Sequence, residues 1–535
     1  MTTQPRLCHR KGGSVLVCAV SLVFIVPLVG LMVDVGVLYA VKARLQASVD
    51  GAALAAARAL NLGQTTAQQA ASARQNAVNW FYANFPAGTW GTFNTQMSQA
   101  TVNVFDDPNN PHVRNVTVSA TASVPTYFMN WLKVTSTVMA ATGNASRRDV
   151  VVMMVLDRSG SMQNASACGT MVSAAKLFTG QFAAGRDQVG LVSFSDNVYI
   201  HSSPTTTFQT VLGYKNNSGS GTGALDTITC SGGTSTAQAI SVAYNEIYKM
   251  NLPGALNVIF IETDGLPNTL TMNFWDSSTS TAGISSTSAC LDKNGKKKSQ
   301  GGFASLSALR SWTAGQSLGS GSFYSNIPAG IVGAVASDDP GSTNKFFLML
   351  NYWTTTTSNN FNSTAYLTST TASGCAFINT ASQHPTPPPA DIAWFPVQDV
   401  WGNLLNPPYT YLPVTLSGGH IVANSYTTYH NAVSNATDHA AYRARTNATI
   451  SVYFFGIGLG GTSTSPPDYA LMQRIVNDPN GDNYNIPPLY PPCAQTAGCV
   501  TYSTQPQGTF IFSANPASLS QAFLSISSQI LRMSK

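Results

Sequence analysis

Apolar and polar residues alternate along this chain in three different rhythms. From Gly13 to Val33 there is no charge and almost no polar residue (GSVLVCAVSLVFIVPLVGLMV). A helix of about 20 such residues spans a hydrocarbon core of roughly 30 Å. The alanine-rich run LYAVKARLQASVDGAALAAARAL follows, with good helix propensity, so the helix is expected to continue, kinked at Pro27. Thr66 to Phe85 also reads as helix. The rhythm then changes to period two. Thr101–Phe105 and Val116–Val124 alternate apolar with small polar residues, as strands with one exposed face do, and the turn signal DDPNNP (Asp106–Pro111) lies between them. Another strand is expected around Thr135–Ala141.

From Val150 onward denser apolar runs appear. Val150–Leu156 and Leu256–Ile261 read as strands buried on both faces, and Gln188–Phe194 and Ile450–Leu459 as further strands. Helical patterns separate them at Thr170–Phe182, from Thr234 to Met250, and at Ala432–Ala444. Val198–His201 reads as an edge partner of the second run. Near the end, Asp468–Val476 reads as a short helix, Thr509–Ser513 as a strand, and Ala517–Ile530 as an amphipathic helix packing back on the sheet. Strands alternating with helices predict an α/β fold with a doubly wound, mostly parallel sheet.

The alternation fails once. From Leu270 to about Asn435 the chain is rich in Ser, Thr, Asn and Gly but also carries Trp275, Trp312, Trp353, Trp394 and Trp401. It is too long for an ordinary loop and too aromatic for a disordered linker. It is expected to be an inserted subdomain of short strands and turns, with Pro385–Pro389 as a stiff connector. The expected organisation is 1–12 as a cytoplasmic N-terminus, 13–33 as a membrane-spanning helix, 34–147 as a helical stalk with a small α+β unit, and 148–535 as the α/β domain with its insertion at 270–435.

Composition narrows the class. The 535 residues are 44% hydrophobic but only 9% charged, against about 25% in typical soluble domains. Such a profile fits an exported protein. A formal net charge of +5, partly from the first dozen residues, gives no reason to expect a nucleic-acid partner. Lys296–Lys298 after Asn294-Gly295 reads as a solvated turn. Of eight cysteines, Cys168, Cys230, Cys290, Cys375, Cys493 and Cys499 lie beyond the apolar segment, an even number that fits disulfides. Cys493–Cys499 and Cys168–Cys230 are the expected pairs.

The candidate chemistry lies where the buried strands end. Val150–Leu156 runs into Asp157, Ser159 and Ser161, spaced two apart in a loop that contains a glycine. Leu256–Ile261 runs into Glu262-Thr263-Asp264-Gly265, and Gly232-Gly233-Thr234 lies between the two. Carboxylates and hydroxyls are hard oxygen donors suited to Mg²⁺, Ca²⁺ or Mn²⁺. Strand ends of an open α/β sheet are where ligands bind. In order and context, Asp157, Ser159, Ser161, Thr234 and Asp264 resemble the metal-ion-dependent adhesion site (MIDAS) of the von Willebrand factor type A (VWA) domain. That resemblance implies a divalent cation, Mg²⁺ by preference, ligated by the hydroxyls of Ser159, Ser161 and Thr234. Asp157 and Asp264 would balance its charge, partly through waters, and one position would stay open for an acidic side chain of a protein partner. The Gly/Ser/Asn-rich loop Tyr214–Thr222 would lie near that face. Asp478-Pro-Asn480-Gly-Asp482 reads as a turn, since no Glu follows at the twelfth position of a calcium loop.

The N-terminus carries a second resemblance. Gly12-Gly13, the uncharged span, Asp34 at its edge and the Leu-Gln-x-x-x-Asp-x-x-Ala-Leu-Ala run resemble TadG-like proteins of the tight-adherence (Flp) pilus system. Pilins place a Glu soon after the processed glycine. Here Ser, Val, Leu, Val and Cys follow, so permanent anchoring is expected rather than processing. Arg6, His9, Arg10 and Lys11 precede the span, which puts the N-terminus in the cytoplasm and the bulk outside the inner (cytoplasmic) membrane.

No phosphate-cradling G-x-x-x-x-G-K-[ST], HExxH or GxSxG motif is present, and no base is suggested near Ser159 or Ser161. A binding protein is expected rather than an enzyme. It would act in Flp-type pilus assembly or in adhesion, with pilus or envelope components as partners. The alternative is a structural envelope protein whose ion only staples the fold.

Overall fold

The structure is a computed structural model. It describes residues 11–195, 198–214, 223–274, 291–292, 323, 331–336, 346–354, 360–369, 394–395, 397–408, 410–417, 420–422, 426–460, 468–480 and 504–534. The chain divides into two compact units, Met1–Arg148 and Asp149–Ser534.

In the first unit a single helix, α1 (Lys11–Ala59), runs unbroken through Pro27 and the charged boundary at Asp34. Helix α2 (Thr66–Asn84) follows. Thr65 and Gln68 form a reciprocal capping box at its start, which satisfies backbone donors the helix leaves open. Strands β1 (Phe93–Gln96), β2 (Val102–Asp106), β3 (Val113–Pro125) and β4 (Ser136–Arg148) form an antiparallel sheet. β4 pairs along the full length of β3, and β2 and β1 share its other edge. Alternate residues of β3 are buried, including Val116, Val118, Ala120, Ala122 and Val124. They pack under Val41, Leu45, Val49, Ala52 and Ala56 of α1, spaced three or four apart on one helix face, and under Ala73, Ala77 and Phe81 of α2. The small residues let helix and sheet approach closely. A Cβ at Gly143 of β4 would lie 2.7 Å from Asp50 Oδ1 and 3.0 Å from Val49 O.

The second unit is built on a six-stranded sheet. Strands β5 (Val150–Asp157), β6 (Gln188–Phe194), β7 (Val198–Thr205) and β8 (Leu256–Thr263) supply one side. β17 (Tyr453–Leu459) and β18 (Thr509–Ser513) complete the order β18-β17-β8-β5-β6-β7. All pairings are parallel except that of edge strand β7. Helices cover both faces. Helices α3 (Gly160–Asn164), α4 (Cys168–Thr179) and α5 (Phe208–Val211), together with the C-terminal α9 (Leu519–Met533), pack on one face. Helices α6 (Thr236–Met250), α7 (Tyr426–Thr446) and α8 (Tyr469–Val476) pack on the other. β5 and β8 are buried at every position, which accounts for the apolar runs Val150–Leu156 and Val258–Ile261 within them. The fold is α/β and doubly wound, as the sequence pattern predicts.

Between β8 and α7 the chain forms further antiparallel strands. β9 (Thr269–Phe274), β10 (Leu291–Asp292), β11 (Ile331–Ala336), β12 (Phe346–Thr354) and β13 (Asn360–Ser369) form a five-stranded sheet ordered β10-β13-β12-β11-β9. β14 (Trp394–Phe395), β15 (Leu416–Ser417) and β16 (His420–Val422) form a three-stranded one. The expected features at Pro385–Pro389, Lys296–Lys298 and the Cys493–Cys499 pair lie outside the described residues. So does residue 215–222 of the Tyr214–Thr222 loop.

Candidate metal centre

β5 and β8 are neighbours, but the chain leaves β5 toward β6 on one side and reaches β8 on the other. Their carboxyl ends therefore flank the point where the winding reverses. At such a point the following loops part and leave a crevice. Asp157 ends β5 and Asp264 follows β8. All five expected site residues reach this crevice.

The loop after β5 is shaped by its own side chains. Ser159 N–H donates to Asp157 Oδ1 at 2.8 Å, folding the chain back over the strand end. Ser159 Oγ and Ser161 Oγ lie 2.9 Å apart. Both reach Asp264 Oδ1, at 3.3 Å and 2.6 Å. Thr234 arrives from the loop before α6. A Cβ built on Gly265 would lie 3.6 Å from Ser161 Oγ and 3.6 Å from Thr234 Oγ1, so the two hydroxyls flank one point above that glycine.

Backbone hydrogen bonds fix the two ligand loops to each other. Gly160 N–H donates to Gly232 O at 2.8 Å, and Ser231 N–H to Arg158 O at 2.7 Å. Gly232 has a φ of +90°, a conformation that favours glycine. Just upstream, a disulfide joins Cys230 to Cys168 at the start of α4. This is one of the two expected pairs.

Three residues that the sequence reading gave no role take part. Thr263 Oγ1 donates to Asp157 Oδ2 at 2.5 Å, holding the carboxylate from the neighbouring strand. Asn268 accepts from Thr234 N–H at 2.6 Å and its own N–H donates to Thr234 O at 3.0 Å, clamping that loop. Glu262 is fully buried on central strand β8, opposite Leu156 and Ile457. Neither of its carboxylate oxygens meets a donor in good hydrogen-bonding geometry. The signal for Glu262 was an acidic residue directly after the apolar run Val258–Ile261.

The electrostatics are those of crowded buried acids. Burial, then the charge of Asp264, pushes the Asp157 carboxyl up to about 7, against the hydrogen bonds from Thr263 and Ser159. Burial and the charges of Asp157 and Asp264 raise Glu262 well above the usual carboxylate range, with the Asp157 N–H opposing weakly. A cation among these oxygens would relieve that repulsion. The donors are two carboxylates and three hydroxyls, all hard oxygens, and they fit Mg²⁺, Mn²⁺ or Ca²⁺. Among the described residues no group of three or more His, Cys, Asp or Glu side chains is placed to hold a metal ion. A cation here would therefore depend on the serine and threonine oxygens.

Residues 152–266 match the von Willebrand factor type A domain family, and residues 12–59 match the Flp pilus-assembly TadE/G-like family. The chain carries a VWA domain downstream of a TadE/G-like segment. The VWA match covers β5 to β8, and the structure supplies the rest of the sheet as β17 and β18, beyond the inserted strands. No curated protein matches the chain. Among solved structures it is similar to the PilB minor pilin from Streptococcus sanguinis (11% identity, 82% of this chain and 79% of that one, TM-score 0.31). It is also similar to the vWF domain of the type V pili tip protein Mfa5 from Porphyromonas gingivalis (14% identity, 73% and 98%, TM-score 0.32). The pilus adhesin SpaC from Lactobacillus rhamnosus GG matches at 13% identity over 81% of this chain and 35% of that one, with a TM-score of 0.32.

Proposed function

We propose that this chain is a membrane-anchored VWA protein of a Flp (Tad) pilus assembly or adhesion system that binds a protein partner through a divalent cation. The anchor is the apolar part of α1, the one helix among the described residues long and apolar enough to cross a membrane. Basic residues precede it, which favours an N-terminus in the cytoplasm of the inner membrane and a bulk outside it. The two matched families are non-enzymatic in general, and we read the chain as a binding protein rather than an enzyme.

The observation that carries the reading is the convergence of Ser159, Ser161 and Asp264 oxygens, with Thr234 beside them, above the buried Asp157. These side chains would hold Mg²⁺, or Ca²⁺ or Mn²⁺ in its place. The bound ion would supply the positive charge that a partner's carboxylate needs. Of the five residues, Ser161 alone is partly exposed and marks the open side. The burial of the other four also favours a second reading, in which the ion staples the fold and no partner binds there.

Calorimetry on the detergent-solubilised full chain tests both. Mg²⁺ should bind the native protein and give no heat with a folded Asp157→Ala variant. If Asp157→Ala loses the ion and stability but keeps its pilus-component partners, the stapling reading replaces partner binding. Absence of Mg²⁺, Ca²⁺ and Mn²⁺ binding to the native protein would remove the metal-bridged mechanism.

A further inference from the structure

The first unit carries an apolar surface that its core does not use. The turn between β3 and β4 exposes Tyr127, Phe128, Trp131, Leu132 and Val134. Trp131 is 81% exposed, Leu132 75% and Tyr127 59%. Isolated exposed apolar residues need no explanation, but a cluster of large aromatic and aliphatic side chains on one turn does.

The turn is held rigidly, and what holds it is α1. Asp34 accepts three consecutive backbone N–H groups, those of Tyr127 and Phe128 at 2.9 Å and of Met129 at 2.7 Å. One turn of helix earlier, the Phe128 ring lies on Gly30, where a Cβ would come within 2.3 Å of it. The turn closes on itself through Thr126 N–H to Thr135 O at 3.2 Å and Val134 N–H to Met129 O at 3.2 Å. Among the residues of α1 from 19 to 36 whose burial is described, only Gly30 and Asp34 are buried. The turn thus grips the helix where the uncharged span ends, and its exposed side chains continue the apolar surface of that span.

We propose that the turn from Tyr127 to Val134 is a second membrane contact, lying in the headgroup–acyl boundary of the bilayer that α1 crosses. This rests on the reading of α1 as a membrane span. Three observations select a bilayer as the occupant. The patch is continuous with the span through Phe128 and Gly30. Its composition is Trp and Tyr, whose amphipathic rings favour the membrane interface, with Leu and Phe for the acyl region. Lys133 stands exposed at its edge, with a stem long enough to reach lipid phosphates. The contact would fix the rotation and tilt of α1, because Asp34 couples the helix to a turn that must stay at the interface.

The test uses the full chain reconstituted into phosphatidylcholine vesicles whose acyl chains are brominated near the carbonyl end, where bromine quenches tryptophan on contact. The chain has eight tryptophans, so the share of Trp131 is the difference between the wild type and Trp131→Phe. Resistance to alkaline carbonate extraction, read on the same vesicles, reports the span separately. The expected result is a carbonate-resistant chain in which brominated lipid quenches the Trp131 share, as an interfacial ring requires. An unquenched Trp131 in a carbonate-resistant chain would overturn the proposal while leaving the anchor intact. It would point instead to a protein partner on the turn. Extraction by carbonate would overturn the anchor and the proposal together.

Discussion

Single residues in this protein are decided by what surrounds them. His439 on α7 shows this for protonation. Its Nδ1 accepts the N–H of Leu404 at 3.1 Å, so that nitrogen carries no proton in the folded state. Burial, then the charge of Arg443, lowers the imidazole to about 4, with Asp438 opposing. The folded state therefore takes up this proton at lower pH than the unfolded state, whose imidazole titrates near the ordinary 6.5. Below about 6.5 the unfolded state binds the extra proton, and stability falls with pH until about 4. His439→Gln cannot titrate. The stability advantage of the wild type over this variant should shrink by on the order of 2–3 kcal/mol between pH 7 and pH 4. Denaturant melts at a series of pH values would show it, and a pH-independent difference would contradict the assignment. Asp157, Ser159 and Ser161 are legible in the sequence because their spacing and the strand before them are local, whereas Thr234 and Asp264 come from distant loops and are expected only through the resemblance to the VWA motif. Glu262, Thr263 and Asn268 were not given roles. Their importance comes from partners far along the chain, Asp157 for Thr263 and Thr234 for Asn268.

At the scale of elements, the Cys168–Cys230 disulfide stands out by what it joins. One end is the first residue of α4, and the other precedes the Gly-Gly-Thr loop that delivers Thr234. That loop is bonded in turn to the Arg158–Gly160 loop. The bond closes a loop over a sequence separation of 62, and bonds of this kind contribute typically about 2–4 kcal/mol. Cys230→Ser should lower the melting temperature and weaken cation binding at the proposed site, with both effects mimicked by reductant on the wild type. Unchanged cation affinity in the destabilised variant would mean that backbone hydrogen bonds alone hold the loop. The element pattern was legible wherever an element buries one regular face. β5 and β8 were expected as buried strands, β6 and β17 as strands, and α9 as an amphipathic helix. β1 was missed because its four residues bury no face. α7 begins at Tyr426, well before Ala432. Its first turns are polar, and Tyr429 Oη instead donates to Asn268 O at 3.0 Å.

At the scale of the whole molecule, each of the two units has its own core. The second has apolar layers on both faces of its sheet, with helices covering each. A fragment from Asp149 to Lys535 should therefore fold alone, giving a cooperative thermal transition and native near-ultraviolet circular dichroism. A fragment that binds hydrophobic dye and melts without a transition would show that the division into units is geometric only.

Hydrophobic period and turn chemistry act over a few residues, so the sequence by itself determined the apolar span, the α/β alternation, the break after β8 and the spacing of Asp157, Ser159 and Ser161. Tertiary structure alone decided what bridges distant segments. α6 is an example: Thr236 to Ile247 are buried without a gap, polar residues included. Ser241 is held by Asn403, Asn245 accepts from Phe323 N–H, and Glu246 accepts from Ser203. The same holds for the grip of Asp34 on the turn at Tyr127. A buried polar group is tolerated only where a partner meets it, and no local pattern reports a partner that arrives from a hundred residues away.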